Sequence, residues 1–169
     1  MKKIEKNKSI YCNHFFFMRE AFKEAKKAFY KNEVPIGAVA VLNNRIVARA
    51  YNNTENKKLF FAHAEFLVLK KLNKKIKNHK FEKISIYTTL EPCIMCMGAL
   101  IQARVQSLYY GAENLKSGFF SKVGILSSDS LDNFSFFYEK ISVQSGFLSE
   151  ESSFILKKFF LNLRKKNNF

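Results

Sequence analysis

Apolar residues recur at three- and four-residue spacing between Phe15 and Tyr30, through Met18, Ala21, Phe22, Ala25, Ala28 and Phe29, with Lys and Glu between them. That period predicts an amphipathic helix, preceded by a mobile N-terminal extension over residues 1–13. The runs VPIGAVAVL and RIVARAY then flank Asn43 and Asn44, two residues that tolerate positive φ, so the pair predicts a tight hairpin between two antiparallel strands. Residues 52–61 are polar and without period. Helical spacing returns in AEFLVLKKLNKKI, and KISIYTTL is a β-branched strand that runs into EPCIMC. Pro92 is expected at the first position of the next helix, where its missing N–H costs nothing. SLYYGA predicts a short strand, and the Gly- and Ser-rich stretch from Glu113 to Phe137 a loop with a short helix. KISVQSG predicts one more strand, and residues 149–166 a closing helix with Glu150 and Glu151 at its start. Helices alternating with strands predict one α/β domain over residues 1–169, three layers α/β/α around a mixed sheet of about five strands.

A chain of 169 residues with 47% apolar and 25% charged residues builds one sizeable core, which excludes a disordered or collagen-like protein. Three cysteines cannot form a disulfide framework and fit a reducing compartment, and no apolar run reaches 18 residues, so the expected location is the cytoplasm and no membrane partner is expected. The charge changes the picture more. Lys and Arg exceed Asp and Glu by 29 − 14 = 15, with nine basic residues before Asn32, nine from Lys57 to Lys83 and five from Lys157 to Lys166. Such an excess suits a polyanionic partner if folding gathers the clusters, and is otherwise a solvated surface.

Candidate chemistry begins at Cys93 and Cys96. Three apart at a helix start, they turn their sulfurs to one face, and the free N–H groups there favour the thiolate that binds metal. A CxxC pair alone also serves redox chemistry or a zinc ribbon, so further ligands decide. His63, in FAHAEF, is the best third ligand. Glu65 follows two residues later, and in an ideal helix the two side chains diverge by about 200°, so both reach one site only if the helix end faces it. Three protein ligands leave a fourth tetrahedral position to water, and a Glu outside the ligand set can take that water's proton. A rival arrangement is a closed, non-catalytic zinc site in which Cys12 and His14 complete the ligands.

H-A-E followed by P-C-x-x-C matches the zinc nucleobase deaminase signature. MREAFKEAKKAF, EVPIGAVAVLNNRIV, YNN eleven residues before His63, TLEPCIMCMGALIQARV and YYGAENLKSG together resemble the bacterial tRNA-specific adenosine deaminases over about Phe15 to Gly118. The resemblance implies a cytidine-deaminase-like fold, one zinc ion per subunit on His63, Cys93 and Cys96, and Glu65 as proton shuttle. It implies conversion of adenosine to inosine at the wobble position of a tRNA anticodon stem-loop, by a homodimer. It further implies that Asn52 contacts the flipped nucleotide, that Val34, Pro35 and Ile36 wall the base, and that the Ala64 N–H touches the purine edge. Asn114, near the sugar, and Phe159 and Phe160, on the closing helix, would complete the substrate site. Two positions depart from the family. Asn114 stands where Asp is common, which bears on the choice between ribose and deoxyribose. Leu161 stands where Arg is frequent, with Arg164, Lys165 and Lys166 one turn later. Deaminases of free cytosine or guanine share the zinc motif and form the alternative enzyme class.

Overall fold

A computed structural model describes residues 2–78, 80–123 and 141–167, with side chains from residue 13 onward in the first stretch, to 122 in the second and to 166 in the third. Helix α1 (Lys2–Tyr30) leads into the hairpin of β1 (Gly37–Leu42) and β2 (Arg45–Tyr51). A one-turn helix α2 (Thr54–Lys57), α3 (Ala64–Ile76), β3 (Ser85–Leu90), α4 (Ile94–Gln102) and β4 (Ser107–Ala112) follow. The short helix α5 (Phe119–Val123), strand β5 (Ser142–Gln144) and helix α6 (Ser149–Asn167) complete the chain. The sheet order is β2-β1-β3-β4-β5, antiparallel through β3 and parallel from β3 to β5, a mixed five-stranded sheet.

Strand alternation decides which helix covers which face. Ala38, Ala40, Ile86, Leu108 and Tyr110 point to one side, where Ala64, Val68 and Leu72 of α3 and Met97 and Leu100 of α4 bury them. Val39, Val41, Tyr87 and Tyr109 point to the other, against Phe17, Met18 and Ala21 of α1 and Phe147. Asn43 and Asn44 both adopt positive φ, 49° and 57°, as a two-residue hairpin turn with the twist of its strands demands. Gly37 is where α1 comes closest to the sheet: a Cβ there would lie 2.1 Å from the Ala21 carbonyl oxygen and 2.4 Å from the Ala25 nitrogen. Backbone cannot yield as a side-chain tip can. Gly37→Ala is therefore expected to cost roughly 3 kcal/mol or more, read as a lowered midpoint in calorimetry.

Three expectations change. The first helix starts at Lys2 rather than near Phe15, so the residues expected as a mobile extension continue α1. The polar segment after β2 contains α2, whose four residues are too few to show a period. Pro92 precedes α4 instead of opening it: Cys93 is the N-cap, extended at φ −69° and ψ 169°, and bridges to Gly118. The loop with a short helix expected from Glu113 to Phe137 does contain α5, and its remainder beyond residue 123 lies outside the described residues. Among the described residues, no helix is long and apolar enough to cross a membrane.

Candidate active site

Topology gathers four segments at one edge of the sheet. β3 and β4 are parallel, so Glu91–Cys93 and Glu113–Ser117 leave their carboxyl ends side by side, the usual ligand edge of an open α/β sheet. β1 is antiparallel to β3, with Ala38 opposite Thr88, so Val34–Ile36 enter the sheet at this same edge. β2 returns there with Tyr51 opposite Gly37, and Asn52 follows, its N–H bonded to the Ile36 carbonyl at 2.9 Å. The N-terminus of α3 points at the gathered loops.

His63 is the N-cap of α3, extended at φ −69° and ψ 155°, while Glu65 lies inside the first turn. This break in helical geometry is what allows two side chains two residues apart to face one site. His63 Nδ1 stands 3.7 Å from Cys93 Sγ and 3.4 Å from Cys96 Sγ, and the three donor atoms all lie within 4.8 Å of one another. A tetrahedral zinc ion with ordinary bond lengths separates a nitrogen and a sulfur ligand by about 3.6 Å, so the donor set and its spacing fit that metal. Hydrogen bonds from the Cys96 thiol, and then from His63 and the Cys96 N–H, hold the Cys93 thiol down to about 4, against the cost of its burial. Its thiolate in turn raises the His63 pKa.

Glu65 is buried, 4% exposed, and Thr88 Oγ1 donates to its Oε1 at 3.5 Å. Burial raises its pKa above the ordinary carboxylate value. A buried carboxyl whose neutral form is favoured in this way can hold a proton as well as take one up.

Beside the trio opens a cavity of about 450 Å³. Val34, Ile36, Asn52, Asn114 and Phe160 line it together with His63, Glu65 and Cys93. Pro35 and Ala64 are buried behind this wall, and Ala64, as first residue of α3, carries one of the free N–H groups of a helix start. Phe159 turns away from it to meet Phe29 of α1 edge-on, ring centres 6.3 Å apart. Asn114 braces its own loop: Oδ1 accepts from the Ser117 N–H at 3.1 Å and Nδ2 donates to Ser117 Oγ at 3.0 Å.

The rival closed site loses His14. Its Nδ1 pairs with the Tyr87 hydroxyl at 2.8 Å and its ring stacks on Tyr109 at 4.3 Å, on the α1 face of the sheet. The trio sits with α3 and α4 on the opposite face. The Cys12 side chain lies outside the described residues.

Sequence reasoning missed two buried carboxylates. Glu91 accepts from the N–H groups of Asn114 and Ser121, both at 2.8 Å, and a Cβ on Gly118 would lie 2.4 Å from its carboxyl, so it clamps the 113–121 loop beside Cys93. Glu33 binds the start of α2. The E of EPC was visible as motif context; nothing in the sequence signalled the role of Glu33.

Residues 12–164 match the MafB19-like deaminase family. The tRNA-specific adenosine deaminase of Bacillus subtilis (strain 168) is 43% identical over 150 residues, 89% of this chain and 90% of that protein. The chain belongs to the tRNA-specific adenosine deaminase family. A solved structure from work on A-to-I editing by tRNA:A34 deaminases superposes on this family member with a TM-score of 0.73 at 36% identity, over 83% of the chain and 99% of that structure. A guanine deaminase from Nitrosomonas europaea, 20% identical, with a TM-score of 0.68 over 85% of the chain and 82% of its own, shares the adenosine deaminase family's fold.

Proposed function

We propose that the protein hydrolyses adenosine to inosine, releasing ammonia, at the wobble position of a tRNA anticodon. The observation that carries this is the convergence of His63, Cys93, Cys96 and the buried Glu65 on one cavity, in a chain 43% identical to a tRNA-specific adenosine deaminase.

His63, Cys93 and Cys96 would hold zinc, which supplies a Lewis acid that acidifies water. Glu65 takes the proton of the attacking water and returns protons to the adenine ring nitrogen and to the departing amine, roles its burial and raised pKa suit. Val34 and Ile36 supply the apolar wall against which a flipped base lies, Asn52 a polar contact to the nucleotide, and the Ala64 N–H a donor to the purine edge. Phe160 and Asn114 border the entrance. Phe159 acts at one remove, by seating α6 on α1.

A homodimer is the proposed assembly. Phe60 and Ile94 are 79% and 65% exposed, on the segments that lead into His63 and out of Cys93, and Leu115 on the cavity wall is 74% exposed. Such apolar side chains beside a site suit burial by a second subunit.

The test is incubation of purified protein with an anticodon stem-loop carrying adenosine at the wobble position, followed by digestion to nucleosides. Inosine is expected, with kcat/KM falling steeply between about 50 and 200 mM salt as neutralised phosphates release counterions. Turnover of free guanine or cytosine with no inosine would establish the alternative enzyme class.

A further inference from the structure

Four of the nine basic residues between Lys57 and Lys83 meet in a second hollow. Lys57 of α2 and Lys70, Lys71 and Lys74 of α3 line a cleft of about 320 Å³. Tyr51, Asn53 and Leu67 complete its wall, and among the described residues no carboxylate lines it. The ion pairs of the described residues use Lys23, Lys27, Arg49, Lys58 and Arg104, so none of the four cleft lysines has an acidic partner there. Lys71 belongs to the wall, because its Nζ donates to the Arg49 carbonyl at 2.6 Å. The ammonium groups of Lys57, Lys70 and Lys74 are left to solvent or to a ligand.

This arrangement works against the free protein. Lys70 and Lys74 stand four apart on one helix face, about 6 Å along the axis, and like charges at that spacing repel. A concave wall concentrates their field, so the cleft draws anions. Its place says which anion. At the end of β2 the side chains alternate: Tyr51 and Asn53 line the cleft, while Asn52 and Thr54 line the cavity that holds His63 and Glu65. One short segment of backbone is therefore the rim of both hollows. An RNA strand that turns a base into the cavity continues past that rim with a charge on every nucleotide. Lys31, outside the cleft, extends the basic row by donating from Nζ to the Tyr51 hydroxyl at 2.7 Å.

We propose that Lys57, Lys70 and Lys74 bind the RNA phosphodiester backbone that flanks the flipped nucleotide, so that the strand leaves the cavity across residues 51–53 and along α3. The inference deepens the adenosine reading and rests on it for the flipped base at the rim. The preference for phosphate rests on the lysines themselves.

Lys70→Gln with Lys74→Gln tests the assignment. Both positions are exposed, and Gln forms helix as readily as Lys, so the melting midpoint should not fall. Binding is read by fluorescence anisotropy on an anticodon stem-loop with uridine at the wobble position, a base with no amine to lose. Each phosphate contact to a single strand contributes about 0.7 to the slope of log affinity against log salt. The double variant is expected to flatten that slope by about 1.4 and to bind on the order of tenfold more weakly at about 100 mM salt. Lys26→Gln with Lys83→Gln makes the same change in charge on α1 and just before β3, and should leave slope and affinity nearly as they are. A slope that the cleft pair leaves unchanged, or that both pairs flatten alike, overturns the proposal. A second readout needs no substitution. Bound stem-loop is expected to shield Lys57, Lys70 and Lys74 from acetylation, followed by mass spectrometry, and equal labelling with and without RNA overturns the proposal. Shielding by polyglutamate and not by RNA would give the cleft to an acidic protein instead. The uridine stem-loop separates these outcomes from the adenosine reading, whose own failure is a stem-loop with wobble adenosine that yields no inosine.

Discussion

Glu65→Gln should retain its metal and lose at least about 10³-fold in kcat, the range associated with removing a positioned acid–base group. The argument is geometric. Glu65 stands outside the His63, Cys93 and Cys96 trio, so metal content by elemental analysis should be unchanged, while the amide can neither take a proton from water nor return one to the base. Unchanged turnover would remove Glu65 from the chemistry. Stability should move the other way. The folded-state pKa of Glu65 lies above its ordinary value of 4.5 because burial disfavours the ionised form. Between those two values the folded protein binds more protons than the unfolded chain, so stability falls as pH rises through that window. Glu65→Gln removes the buried charge, and its melting midpoint should exceed that of the wild type at neutral pH. The advantage should vanish below about pH 4.5, where both states of the wild type carry a neutral carboxyl. A gain that persists at low pH would assign the effect to packing instead.

How much of this site was legible follows from how its residues are joined. The strands around it obey period two, and Val39, Val41, Tyr87 and Tyr109 against Ala38, Ala40, Ile86 and Leu108 are the alternation that assigns each helix to a face. His63 and Glu65 were legible as a paradox, two residues that a helix flank would point apart, and the structure resolves it by ending the helix between them. Cys93 was legible at a helix start, although Pro92 proved to lie one step outside it. Glu33 and Glu91 were not, because their partners lie 19 to 30 residues away and the bonds follow no period. Phe159 and Phe160 show the same limit. Adjacent on a helix, they must diverge, and the sequence carries no sign of which one faces the cavity.

Cys96→Ser should bring metal content from about one ion per chain to near zero and abolish turnover. Cys96 is fully buried at the base of the trio, and a hydroxyl replaces the thiolate without filling its coordination role. The loss also reaches the fold. A metal that binds the folded protein stabilises it in proportion to its affinity, so a chelator should lower the melting midpoint of the wild type and leave Cys96→Ser unmoved. If the chelator shifts both alike, the ion sits elsewhere. Cys12→Ser provides the contrast, because the closed-site alternative needs that thiol and the open site does not. With His14 already paired to Tyr87 across the sheet, retained metal in Cys12→Ser and lost metal in Cys96→Ser would together leave three protein ligands. That is the number a hydrolytic centre requires, since the remaining position is what admits water, and a fourth side chain there would exclude it.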